Sequence, residues 1–265
     1  MSDAAINPIY IGTAGWPLPA EYGGEFPGAG THLMRYGRRF GAVEINSSFY
    51  RPHRAATYGR WAASVPSNFR FAVKVPREIT HRLRLVDTAA PLERFLAEAA
   101  MLKEKLGPLL VQLPPSLPFD PRTAEAFFAG LRERFTGSVV CEPRHADWFD
   151  PDAERLLAAF EIARVAADPA PVPKAAHPGG WSGMRYYRLH GSPRMYYSGY
   201  PDGTLEALCQ RVLDESESAP VWCIFDNTAL GAATGNALSM LHRIATQGSP
   251  STTQVTAAAS RAAAV

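Results

Sequence analysis

Eight short stretches rich in β-branched and aromatic residues recur along this 265-residue chain, and their alternation with helix-like stretches limits how it can fold. They are "IYIGTAGW" (9–16), "AVEINSSFY" (42–50), "RFAVKVP" (70–76), "PLLVQLPP" (108–115), "SVVCEPRH" (138–145), "ARVAADP" (163–169), "MRYYRLHG" (184–191) and "VWCIFDNT" (221–228). Each is bounded by Gly, Pro or polar residues, which punctuate strands. Between most of them apolar residues return at helical spacing. "PLERFLAEAAMLKEKLG" runs to Gly107, which reads as a helix-ending glycine. Asp120–Pro121 and Asp150–Pro151 each read as an N-cap followed by proline in the first helical position. Alternating β and α units imply parallel strands, and eight units in this length imply a single α/β domain, a closed (β/α)8 TIM-like barrel. After the sixth strand, "PAPVPKAAHPGGWSG" is too rich in Pro and Gly for a helix, and a loop is expected in its place. The expected organisation is an N-terminal tail at 1–8, the barrel at 9–246 and a disordered low-complexity tail at 247–265.

The strand ends carry the functional signal. The first ends in Thr13, Gly15 and Trp16; the second holds Glu44, Asn46 and Ser48 on one face; the third holds Lys74; the fourth ends in Gln112. The fifth ends in Glu142, Arg144 and His145, the sixth in Asp168, the seventh in Arg188 and His190, and the eighth in Asp226 and Asn227. Residues two apart on a strand share a face, so Glu44/Asn46, Glu142/Arg144 and Arg188/His190 are same-face pairs. In a barrel the C-terminal ends meet around one axis. Unpaired burial of such groups costs several kcal/mol each, so a ring of them points to a site rather than to packing. The bland alternative is a plug of buried ion pairs, Glu44 with Lys74 and Glu142 with Arg188, which for any single residue is as good a reading.

Composition sharpens the picture in two places. The three cysteines, Cys141, Cys209 and Cys223, are scattered in no metal or disulfide spacing. With no signal-like leader and no long apolar run, a cytoplasmic protein without membrane contact is expected. The net charge of +2 hides an asymmetry: residues 31–84 contain eleven Lys or Arg and only two acids, so this sector favours anionic partners.

Seven stretches, "IGTAGW", "VEINSSFYR", "RFAVKVPREITH", "LGPLLVQLPPS", "CEPRHADW", "YYRLHG" and "IFDNT" with "GNAL" after it, together resemble the YecE-like family, the domain of unknown function 72. The resemblance spans nearly the whole folded chain. It implies a TIM-like barrel and supplies positions rather than chemistry. The family pattern falls on Gly12, Gly15, Trp16, Glu44, Asn46, Phe49, Tyr50, Lys74, Thr80, His81, Gln112, Pro114, Glu142, Arg144, Trp148, Arg188, His190, Gly191 and Asn227. The chain departs from it after Trp16, at Pro143, where a strand end or bulge is expected, and at Asp226, where asparagine is more usual.

The expected function is an enzyme doing acid/base chemistry on a small polar, anionic substrate bearing phosphate or carboxylate. Glu142 and His190 form the acid/base pair, with Lys74 and Glu44 also counted as catalytic. Arg144 and Arg188, with Lys74, bind the anion; Asn46, Gln112, His81 and Asn227 orient the substrate; Trp16, Tyr50 and Trp148 wall the pocket. A Schiff base at Lys74 ranks below ion pairing with Glu44. No cofactor is expected. A divalent metal held by Glu44, Glu142, Asp168, His145, His190 or Asp226 is the minority reading, because Arg144 and Arg188 would repel it. Two alternatives stay open. One is a nucleic-acid-binding or phosphodiester-processing protein using the basic 31–84 sector, and the other a barrel that binds ligand without turnover.

Overall fold

A computed structural model describes residues 7–247. In chain order the regular elements are β1 (Ile9–Thr13), α1 (His32–Gly37), β2 (Ala42–Ile45), α2 (Ala55–Ala63), β3 (Arg70–Lys74), α3 (Ala89–Ala99), β4 (Leu106–Gln112), α4 (Pro121–Arg134), β5 (Val139–Glu142) and α5 (Pro151–Ala159). They continue with β6 (Ile162–Arg164), β7 (Ala166–Asp168), β8 (Gly179–Gly180), β9 (Arg185–Leu189), α6 (Asp202–Ser216), β10 (Val221–Phe225) and α7 (Ala232–Gln247). Strands alternate with helices up to β6 and again from β9 onward, and they pair in parallel except for the short antiparallel β6–β8 pair.

The ladders differ from the expected closed barrel. They form two sheets, β1-β10-β9-β7 and β2-β3-β4-β5-β6-β8. A single bridge, Ala14 to Glu44, joins β1 to β2. On the far side the sixth expected strand breaks at Val165: Ile162–Arg164 belongs to one sheet and Ala166–Asp168 to the other. As expected, no α-helix separates Asp168 from β9 among the described residues. A 3-10 turn at Pro173–Ala176 and the two-residue β8 fill the gap. The expected tails at 1–8 and 247–265 lie outside the described residues except at 7, 8 and 247, and Gln247 closes α7.

Local chemistry explains most of the boundaries. The Asp120 carboxylate caps α4 by accepting from the Thr123 amide at 2.8 Å. Asp150 occupies the same position before α5, but its side chain makes no capping bond. β5 stops at Glu142, immediately before Pro143. Gly107 does not end a helix. The break after α3 falls at Lys103, with φ of 54°, and Gly107 lies inside β4. A Cβ there would stand 2.8 Å from the Trp222 indole, so a close approach and not a turn requires glycine.

Alternation along the strands divides the interior into two apolar clusters. Val43, Phe71, Leu109, Cys141 and Cys223 belong to the larger one, shared with the helices. Ala42, Ala72, Leu110, Val140, Tyr186, Trp222 and Ile224, from both sheets, form a second, inner cluster. Its broad rings stack: Tyr186 on Trp222 at 5.9 Å between ring centres, and the partly buried Tyr10, packed against the cluster, on Trp222 at 4.6 Å. One pleat further along, Ala42 gives way to Glu44, Ala72 to Lys74, Val140 to Glu142 and Tyr186 to Arg188.

Candidate functional site

That pleat forms the candidate site. Arg188, fully buried on β9, sits among three carboxylates from three other strand ends. Its Nε and Nη2 donate to the two oxygens of Glu44 at 3.0 and 2.7 Å, a bidentate fork. Its Nη1 donates to Glu142 Oε2 at 2.6 Å, and Nη2 also donates to Asp226 Oδ2 at 3.0 Å. Tyr186, two residues before Arg188, donates its hydroxyl to Glu44 Oε2 at 3.0 Å. The three surrounding carboxylates hold the guanidinium charged despite its burial, well above its ordinary pKa.

His190 lies on the same face, one pleat above. Its Nδ1 is 3.0 Å from Asp226 Oδ2 and its Nε2 is 2.8 Å from Glu142 Oε1. Arg144 Nη2 completes a tight triangle, 2.5 Å from Glu142 Oε1 and 2.6 Å from His190 Nε2. Two proton arrangements fit this contact. An imidazolium donates to both carboxylates, whereas a neutral ring donates from Nδ1 to Asp226 and accepts from Arg144 at Nε2. Burial alone would raise the Glu142 carboxyl, but Arg144, Arg188 and His190 together hold it well below its usual range. Burial likewise opposes, and Arg188 with His190 outweighs, in lowering Asp226. Glu142 therefore orients the ring and Arg188 as a fixed anion.

Lys74 contrasts with Arg188. Its side chain is buried, 5% exposed, yet among the described residues no carboxylate lies within 4.0 Å of it. The expected Glu44–Lys74 pair does not form, because the longer, forked Arg188 takes both Glu44 oxygens. Lys74 Nζ instead rests over the Phe49 ring, 4.1 Å from its centre. Burial, then the charge of Arg188, pushes its amine down to about 8 against the partial pull of Glu44, Asp226 and Glu142.

The other expected site residues divide among three places. Asn46 follows Glu44, its buried Oδ1 without a partner. Gln112 is the register neighbour of Glu142. Asn227 donates to Ser198 O and Asn236 Oδ1, both at 2.9 Å, and ties the loop after β9 to α7. Tyr50 and His81 line a separate cavity next to Phe49. Trp16 packs on Trp61, and the buried Trp148 donates its indole N–H to Leu117 O at 3.0 Å. Of the minority metal ligands, His145 accepts from the Asp147 amide in the turn after β5, and Asp168 accepts from the Tyr200 hydroxyl at 2.8 Å. Among the described residues no three His, Cys, Asp or Glu side chains are disposed to hold a metal ion. Arg188 itself stands where a cation between Glu44, Glu142 and Asp226 would have to stand.

Three participants lay outside the expected site set. Asp226 bonds both Arg188 and His190, and its place at a strand end was the available signal. Tyr186 shares the Arg188 face by period-two alternation. Tyr196, whose ring stands edge-on to His190 at 5.8 Å, comes from the loop after β9, which carries no periodic signal.

The fold and site together define an α/β protein with largely parallel strands and a buried arginine–carboxylate–histidine cluster at the strands' C-terminal ends. Its residues 10–260 match the family model described as "Protein of unknown function DUF72", and the chain belongs to that family. It is 31% identical over 179 residues to the UPF0759 protein YecE of Escherichia coli K12, covering 64% of this chain and 62% of that protein. It is 28% identical over 154 residues to the UPF0759 protein YunF of Bacillus subtilis 168, covering 54% and 53%. The matched stretches thus span between about half and three fifths of these relatives. Two crystal structures of DUF72 family proteins share the fold. One, from Enterococcus faecalis V583, has a TM-score of 0.76 at 22% identity over 89% of this chain and 95% of that one. The other, from Thermotoga maritima MSB8, has a TM-score of 0.75 at 24% identity over 90% and 100%. No helix among the described residues is long and apolar enough to cross a membrane.

Proposed function

We propose that the protein is an enzyme performing acid/base chemistry on a small anionic substrate at the strand ends, without a cofactor. The observation that carries the reading is Lys74: a buried amine without a carboxylate partner, beside a cluster in which the other buried charges are paired. At about 8 its amine is unprotonated in roughly a tenth of molecules at pH 7, enough for a general base that is re-protonated each cycle. His190 is the second proton-handling group, held at both nitrogens by Asp226 and Glu142. Arg144, partly exposed and with its Nε unpartnered, is the cation that meets the substrate's phosphate or carboxylate. Four of the five Arg188 N–H groups are engaged by carboxylates, and it serves as counter-ion to the orienting acids. We also read the two sheets as the halves of a (β/α)8-type enclosure, because side chains from both meet around Arg188. The three free cysteines suit a reducing compartment.

A thermal-shift screen of phosphorylated and carboxylated metabolites, run on wild type, Arg144→Ala and Lys74→Met, tests the reading. A ligand should stabilise wild type, lose most of its effect with Arg144→Ala, and still bind Lys74→Met without being converted when followed by mass spectrometry. Equal shifts in all three proteins, or unchanged turnover by Lys74→Met, would overturn it.

A further inference from the structure

Next to Phe49 lies a cavity of about 570 Å³ bounded by the turns after β2 and β3 and by α3. It is separate from the Arg188 cluster, none of whose residues line it. Its volume lies within the range of small-molecule sites. Two kinds of group line it. Phe49, Tyr50 and His81 present rings, with Phe49 edge-on to both Tyr50 at 5.1 Å and His81 at 4.9 Å. Tyr50 is 68% exposed, so its ring is open to a ligand entering the cavity.

The other group is cationic. Four arginines line the cavity against two glutamates. Arg82 and Arg94 are both spent on Glu78, at 2.8 and 3.2 Å. That leaves Arg51 and Arg77 without an ion-pair partner among the described residues. Burial, then the nearby charges of Lys74 and Arg77, lowers the pKa of His81, so its ring presents a neutral stacking face.

The backbone is unusual here too. Residues 78–82 form a π-turn, with the Leu83 amide donating to Glu78 O at 2.8 Å. Such turns are rare and concentrate at functional sites. Arg84, Leu85 and Asp87 follow with positive φ, three of six such non-glycine residues among those described. The turn carries Glu78, His81 and Arg82 to the cavity wall at the expense of regular geometry.

We infer that this cavity binds a nucleotide, with the base against the Phe49–Tyr50–His81 rings and the phosphate at Arg51 and Arg77. Aromatic rings flanked by free arginines recognise both halves of a nucleotide and neither half strongly alone. Glu98, one turn beyond Arg94 on α3, offers an acceptor for sugar hydroxyls. The same chemistry is presented by a free mononucleotide and by a single strand. The inference does not depend on the reaction proposed above.

Calorimetric titration of the full chain with AMP, GMP, CMP and UMP, with ribose 5-phosphate, and with an eight-residue oligodeoxythymidylate tests it. At least one mononucleotide should bind saturably, about tenfold or more tighter than ribose 5-phosphate, and Arg51→Ala/Arg77→Ala should weaken it about tenfold. Both arginines are exposed, so circular dichroism should confirm that the double variant stays folded. Oligonucleotide binding without mononucleotide binding, weakening steeply with salt and lost in the double variant, also supports the inference and assigns the source to a strand. Ribose 5-phosphate binding as tightly as the mononucleotides, full retention by the folded double variant, or no binding of any nucleotide would overturn it.

Discussion

Two buried cations occupy the same layer of this molecule and are treated in opposite ways. Arg188 receives three carboxylates and a supporting tyrosine, whereas Lys74 receives an aromatic face. Coulomb's law alone would share the acids between them. The fork of the guanidinium decides the matter, since it engages both Glu44 oxygens at once and is less strongly hydrated than an ammonium. The layer therefore has a rigid side, where charge is balanced in place, and a poised side, where an amine is kept short of counter-charge.

The sharpest way to break this contrast is to empty the rigid side. Arg188→Met should destabilise the protein by about 4 kcal/mol, because three carboxylates lose their cation. Urea unfolding should show this as a large drop in midpoint, and adding Glu44→Gln and Asp226→Asn should recover part of it.

The poised side should respond with the opposite sign. Lys74→Met should stabilise at pH 7 by up to about 3 kcal/mol, since a pKa held near 8 instead of 10.5 means the fold carries a penalised charge. The folded pKa is the lower one, so between pH 8 and 10.5 the unfolded chain binds more protons. Wild-type stability should then rise with pH across that window relative to the variant, and the gain from Lys74→Met should fade by pH 10.5. A pH series of melting curves on the two proteins measures it.

Acid tests the rigid side again. Glu142 and Asp226 are held below their ordinary values of 4.5 and 3.8, so their stabilisation is complete above those values and is lost as pH falls through their lower folded values. Wild-type stability should fall along this limb, and Glu142→Gln should flatten it. Smallest of all, Tyr186→Phe should cost about 1.5 kcal/mol, one hydrogen bond to a charged oxygen. Denaturant midpoints at pH 7 resolve a change of that size.

How much of this was legible in the sequence follows from what periodicity can and cannot say. Residues two apart share a face, so the meeting of Glu44, Glu142, Arg188 and His190 could be read from the strand ends. The choice of partners could not, because reach and hydrogen-bond geometry, not spacing, made Glu44 select Arg188 over Lys74. The closed barrel was a count of units. Ladder continuity depends on stagger between strands, and at Val165 one apolar run passes from one sheet to the other. Gly107 misled because a helix-ending glycine and a glycine under an indole look alike until Trp222, more than a hundred residues later, is placed against it. Tyr196 lies in a loop, where the side-chain direction follows from turns that no period announces.

The stacked rings of Tyr10, Trp222 and Tyr186 lie one pleat before the ionic layer and floor it with aromatic surface. The least buried groups bordering that layer are Arg144 and Tyr196, which stand beside His190 on the side away from the stack. Enlarging or shrinking the Trp222 ring would shift the floor under charges that the indole itself does not bond.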